Sequence, residues 1–149
     1  MTPENIVDQL IRDEDEVLHL YYVNGIPHVG VGINLACAPL PAALCAQMTI
    51  TPSLSRALLT LRLRDVLIDL GHIPWLPALD DIRRAVLVNV CFNVGFKGLL
   101  AFHNMLAAMQ RGDWTAAAAE LRDSDAWRST ENHNRYERLA RQLETGRWV

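Results

Sequence analysis

Apolar residues recur at three- and four-residue spacing from the start of the chain. Ile6, Val7, Leu10 and Ile11 make one face and predict a short helix over about 3–13, with Pro3 in its first turn. The period then shortens to that of a strand. Val17-Leu-His-Leu-Tyr-Tyr-Val23 is followed by Asn24-Gly25, the strongest short hairpin signal, and then by residues 26–35, where apolar and small residues alternate. Gly30 and Gly32 lie two apart, which places them on one strand face, where a sugar ring or a neighbouring helix would approach the backbone closely. Residues 36–50 read as irregular, with Pro39, Pro41 and one helical turn at about 42–47.

Thr51-Pro52 is a helix start, and Leu54, Leu58, Leu61, Val66 and Leu70 carry that helix to about residue 70, where Gly71 ends it. Asp80 caps a helix that runs through Val86, Leu87, Val90 and Cys91. It is apolar nearly all round, so it is predicted to be the central buried helix, with Gly95 and Gly98 punctuating its end. Further helices are predicted over about 99–110, 113–122 and 132–145, with Gly112-Asp113 as the turn between the first two. Helix, hairpin, long helix and helical bundle in that order make an α+β fold.

Composition narrows the class. The chain has 149 residues, half of them hydrophobic and 21% charged, which excludes a disordered chain, a disulfide mini-protein and a coiled rod. A net charge of −3 argues against nucleic acid as a partner. Cys37, Cys45 and Cys91 have neither metal nor redox spacing, so free thiols are expected. The five histidines show no paired ligand spacing and no glycine-rich phosphate loop is present, so neither metal nor cofactor is expected. The first residues have no basic, apolar leader, and no run approaches the ~20 apolar residues of a membrane span; the expectation is no secretory signal and no membrane anchor. One local feature opposes its electrostatics. Asp13, Glu14, Asp15 and Glu16 fall at the C-terminal end of the first helix, where the dipole favours cations; the simplest reading is a solvated cap.

Several motifs carry a resemblance. Asp13-Glu14, Tyr21, Gly25, Val29-Gly30-Val31-Gly32 and Gly32-Ile-Asn-Leu35 occur in the N-terminal part. Pro74-Trp75, Leu79-Asp80-Asp81-Ile82-Arg83-Arg84, Asn89-Val-Cys-Phe-Asn-Val-Gly95 and Gly98-Leu-Leu-Ala-Phe-His-Asn-Met105 follow, then Gly112-Asp-Trp-Thr-Ala-Ala, Asn134-Arg135, Arg138 and Thr145-Gly146-x-Trp148. In this order they resemble the phage lysozymes of glycoside hydrolase family 24, the T-even-phage type, over nearly the whole chain. The resemblance implies a lysozyme-like single catalytic domain: a small N-terminal lobe with a β-hairpin (about 13–50), a linking helix (about 52–70) and a larger all-helical lobe (about 71–149). It implies that the helix over about 3–13 packs on the second lobe and that substrate lies between the lobes.

The activity implied is that of a muramidase, cleaving the β-1,4 bond between N-acetylmuramic acid and N-acetylglucosamine in peptidoglycan. Such cleavage needs a proton for the leaving oxygen and a second group acting at the anomeric carbon. The resemblance gives the first role to Glu14 and makes Arg135 its partner. Asn34, Leu35, Phe92, Asn93 and Met105 match positions that contact substrate. The second role departs from the family. Val23 stands at the usual acidic position, His28 stands at the usual Thr position, and residues 17–35 contain no carboxylate. Three readings follow: His28 acts as base or nucleophile; Glu14 suffices, with Asn24 or backbone groups placing the water; or the chain is a lysozyme-like module that binds glycan or protein without cleaving it. Trp114, Trp127 and Trp148 are expected in the core rather than as sugar platforms. The resemblance further implies a monomeric phage or prophage endolysin. It would accumulate in the host cytoplasm, depend on a holin, and act on the peptidoglycan strand in the periplasm to lyse the cell.

Overall fold

The acidic cluster after the first helix is organised by the chain's own chemistry. In the computed structural model, which describes residues 4–35 and 47–149, helix α1 is Ile6–Asp13. It begins later than the pattern predicts: Glu4 and Asn5 form a bend, and Asn is a better residue before a helix than inside its first turn. Asp13 is not a solvated cap. Its side chain is 1% exposed and accepts from Arg12 Nε at 3.1 Å, so an ion pair neutralises the charge next to Glu14. Asp15 follows in the left-handed region (φ 52°), and that turns the chain into the first strand.

Strands β1 (Val17–Val23), β2 (Ile26–Gly30) and β3 (Ile33–Asn34) form an antiparallel sheet in sequence order. The β1–β2 turn is Asn24-Gly25 alone, both at positive φ (51° and 78°), which matches the two-residue turn that Asn-Gly favours. Val23 pairs with Ile26, Tyr22 with Pro27 and Tyr21 with His28. A bulge then separates Tyr21 from Val17, which pairs with Gly30. Along that bulge β1 turns its hydrogen bonds to the other side: Leu20 N–H donates to Met48 O (3.2 Å) and Ile50 N–H donates to Leu18 O (2.7 Å).

The two strand glycines do not share a strand face. Both have positive φ (64° and 63°), so β2 stops at Gly30 and Val31-Gly32 forms the turn into β3. Each meets a different neighbour. A Cβ on Gly30 would lie 2.9 Å from Ser55 Oγ, so this glycine lets the sheet approach a helix. That helix is α2 (Pro52–Leu70), started by Thr51, whose Oγ1 accepts from Leu54 N–H at 3.1 Å. The turn predicted near 42–47 lies outside the described residues except for Gln47, as do Cys37 and Cys45.

The chain divides into two compact units, Val7–Asp65 and Val66–Val149 with the residues before Val7. The first contains the sheet, most of α1 and most of α2, with Leu10, Val29, Val31, Leu59 and Leu63 in its core.

The second unit is helical. A short 3-10 turn (Leu76–Ala78) leads to α3 (Asp81–Leu100), capped by Asp80, which accepts from Arg83 N–H at 2.8 Å. Every residue from Ala85 to Cys91 is buried, as the apolar run predicts, and Cys91 forms no disulfide. Gly95 breaks the helical geometry (φ 76°, ψ 166°), but α3 resumes and reaches Leu100. The next helix therefore starts later than the predicted 99: α4 is His103–Gln110, bent 100° from α3 across Ala101-Phe102. Helices α5 (Trp114–Arg122), α6 (Asp125–Arg128) and α7 (His133–Thr145) complete the unit. Trp114 is half-buried under the Arg83 guanidinium (4.2 Å) and Trp127 half-buried against His133 (4.4 Å). Among the described residues no helix is long and apolar enough to cross a membrane.

One ion-pair network joins α5 to α7. Glu137 and Glu144 lie two turns apart on α7, and Arg122 donates to both, at 3.0 Å and 2.6 Å. These hydrogen bonds hold both carboxyls below the ordinary Glu range and raise Arg122. A depressed folded-state carboxyl contributes stability that is complete above its unfolded value, about 4.3. The contribution is lost as pH falls through the folded value. Arg122→Gln is thus expected to lower Tm at neutral pH, with the gap from wild type closing as pH falls below about 4. Thermal unfolding from pH 7 to 3 measures it, and a gap independent of pH would exclude the network as its source.

Candidate active site

Glu14 sits in the turn that closes α1, its N–H donating to Leu10 O at 2.9 Å, and its side chain is half-buried. Its carboxylate lies beside the β2–β3 turn: Oε2 is 3.7 Å from where a Cβ on Gly32 would stand. Tyr21 reaches the same place from β1. Burial raises its hydroxyl above the ordinary tyrosine value, a hydrogen bond from Gly32 N–H pulls it partly back, and the Glu14 charge adds to the rise. Glu14, Tyr21 and Gly32 therefore form one cluster, in which a half-buried carboxylate and a protonated phenol stand side by side.

Gly32→Ala tests how tightly this cluster is built. The left-handed backbone alone costs an L-residue about 1–2 kcal/mol, and the new methyl would touch the Glu14 carboxylate. A lower Tm together with reduced turnover is expected. Full activity at lowered Tm would mean that the contact with Glu14 has no functional weight.

His28 extends the cluster along the sheet. It pairs with Tyr21 on one side and Asn34 on the other, so these three side chains form a row on one face. The His28 and Tyr21 rings are 5.6 Å apart, and His28 Nδ1 contacts Ile26 O at 2.9 Å. Asn34 is exposed, and Leu35, half-buried, donates its N–H to Pro27 O at 2.7 Å. Val23, at the expected acidic position, ends β1 at the turn and is 46% exposed.

A second set of residues lies in the helical unit. Arg135 on α7 is buried, and its Nε donates to Asn89 Oδ1 on α3 at 2.7 Å. One residue on, Tyr136 is fully buried, donates to Asn93 Oδ1 at 3.0 Å and stacks on Phe102 at 6.4 Å. Phe92 and Asn93 are half-buried just before the Gly95 break. Met105 is 1% exposed: its side chain is core, at the floor of a pocket of about 240 Å³ lined also by Phe102, Asn104 and Glu120.

The sequence motifs point to Glu14, His28 and Arg135 but not to the residues that hold them. Tyr21 and Gly32 beside Glu14, and Asn89 beside Arg135, are visible only as motif letters, and Tyr136, which holds Asn93, lies in no motif. One signal is present: Asn89 and Asn93 are four apart, two polar residues on one face of the otherwise apolar run from Ala85 to Gly95. Among the described residues no group of three His, Cys, Asp or Glu is arranged to hold a metal.

No family model matches the chain. A curated relative from Dictyostelium discoideum, named "Probable T4-type lysozyme 1", is 30% identical over 166 aligned positions that cover 95% of each chain. The chain belongs to the T4-type lysozyme family. The small antiparallel sheet followed by a mostly helical region is the T4 lysozyme-like fold. The site sheet carries no Asp, Glu, Lys or Arg from Val17 to Leu35, and an imidazole stands in the row beside the Glu14 cluster.

Proposed function

We propose that this lysozyme-family chain is a muramidase. It hydrolyses the β-1,4 bond between N-acetylmuramic acid and N-acetylglucosamine in peptidoglycan, with Glu14 as the proton donor. The observation that carries this reading is the Glu14 cluster, where a half-buried carboxylate stands against Gly32 and the raised Tyr21 hydroxyl. Protonating a glycosidic oxygen requires a carboxyl sheltered from bulk water, and the turn after α1 provides one. His28 is the proposed second catalytic group. Asn34, Leu35, Phe92, Asn93 and Arg135 are proposed as glycan contacts. The family resemblance supports a role as a holin-dependent endolysin acting from the host cytoplasm on the periplasmic wall, as a monomer.

The uncharged sheet favours one rival, a module that binds glycan without cutting it. Digestion of purified peptidoglycan separates the two. New reducing ends on muramic acid, identified by borohydride reduction and mass spectrometry, are expected. Reducing ends on glucosamine would exclude a muramidase, and retention on the glycan with no new ends would favour the binding module.

A further inference from the structure

This inference rests on the glycosidase reading and concerns how the second half of the reaction is carried out. His28 is held at both sides of its ring. A carbonyl oxygen only accepts hydrogen bonds, so the 2.9 Å contact between Nδ1 and Ile26 O places the hydrogen of the neutral ring on Nδ1. That leaves Nε2 with its lone pair. The Tyr21 ring, 5.6 Å away and tilted by 31°, restricts rotation of the imidazole, and the strand pairing with Tyr21 and Asn34 fixes its Cα. The arrangement has two parts of a working base, an acceptor nitrogen and a fixed partner that sets its tautomer. Tyr21 faces it from β1, with Glu14 beyond the phenol, and from β3 it meets the neutral Asn34. The sheet from Val17 to Leu35 offers no carboxylate to compete for the role.

We propose that His28 acts through Nε2 as the general base that activates the attacking water, with the Ile26 carbonyl and the Tyr21 ring as its positioning groups. The water oxygen bonds to the anomeric carbon and its proton passes to Nε2. The bond from that carbon to the bridging oxygen breaks, its electron pair goes to the oxygen, and Glu14 supplies the oxygen's proton. His28 ends as imidazolium and Glu14 as carboxylate, and loss of one proton to solvent with gain of another resets both. Attack by water on the face opposite the leaving group inverts the anomeric configuration.

Three measurements test this on the whole chain. Nitrogen-15 NMR of the wild-type protein is expected to show His28 as the Nδ1–H tautomer; an Nε2–H tautomer overturns the proposal. NMR of fresh product is expected to show inversion, and retention overturns it. His28→Gln is expected to lose about 10²–10⁴-fold in turnover, while His19→Gln, on the exposed part of β1, keeps the wild-type rate. Should His28→Gln fail to fold, His28→Ala with added imidazole replaces it, and recovery of turnover with imidazole supports the base. A Glu14→Gln variant without activity beside a His28→Gln variant within threefold of wild type would overturn the role of His28 and leave the glycosidase reading intact. A wild-type protein that releases no reducing ends would overturn both.

Discussion

Glu14→Gln is expected to abolish glycan cleavage, by about 10³-fold, while leaving Tm within a few degrees of wild type. Gln has nearly the shape of Glu and keeps a polar head against Gly32 and the Tyr21 hydroxyl, so the turn after α1 has no steric reason to move. What it lacks is a proton that leaves at the right moment. The four consecutive acids around it are not equivalent. Asp13 is buried on Arg12, and Asp15 points its backbone through a left-handed turn on the exposed side. The measurement is the clearing of outer-membrane-permeabilised cells together with reducing-end release, with circular dichroism as the check on folding. A variant retaining more than about a tenth of the wild-type rate would remove Glu14 from the reaction, because general acid catalysis is worth at least ~10²-fold.

Where one strong local signal decides the outcome, the sequence is an accurate guide. Asn24-Gly25 forms the two-residue turn its φ preferences favour, Thr51-Pro52 starts α2, and the apolar run from Ala85 to Cys91 is buried throughout. Prediction fails where a residue answers to a partner distant in sequence or to backbone strain. Gly30 and Gly32 keep the spacing of one strand face, but their positive φ values end the strand between them, and each serves a different neighbour, Ser55 and Glu14. Asp13 looks like surface charge by composition and is buried by its ion pair. Leu99 and Leu100 have the apolar character of a new helix, yet they stay in α3 beyond the Gly95 break, and α4 begins only after the bend at Ala101-Phe102.

The candidate site divides along the same line. Glu14, His28 and Arg135 were legible because a motif fixed their positions. Tyr21 was visible as a family letter, but its part in the site is set by a bulge. Tyr21 and His28 pair across the strands beyond the point where β1 loses register, and the alternation of residues does not show which pairs survive it. The residues around Arg135 were harder to see still, since Asn89 lies 46 positions away and meets it only through the packing of α7 on α3.

Asn89→Ala is accordingly expected to have the largest effect on stability. Asn89 is fully buried, and its Oδ1 accepts from the Arg135 guanidinium at 2.7 Å, a short bond to a charged donor. Its removal leaves that buried cation one acceptor short in a low-dielectric interior. The cost is about 3 kcal/mol, which lowers Tm by about 6–12 °C in a chain of this size. The gain in helix propensity on going from Asn to Ala, about 0.7 kcal/mol at most, does not offset it. Asn89→Asp keeps an acceptor in place and adds a charge opposite to that of arginine, so it should recover at least half of the lost Tm. Calorimetry of the two variants distinguishes this account from simple cavity formation. Were the acceptor unimportant, the Ala and Asp variants would differ only by the desolvation of a carboxylate, and Asp would be the less stable of the two. Because Arg135 is also a proposed glycan contact, loosening it should raise KM more than it lowers kcat, whereas Glu14→Gln acts on kcat.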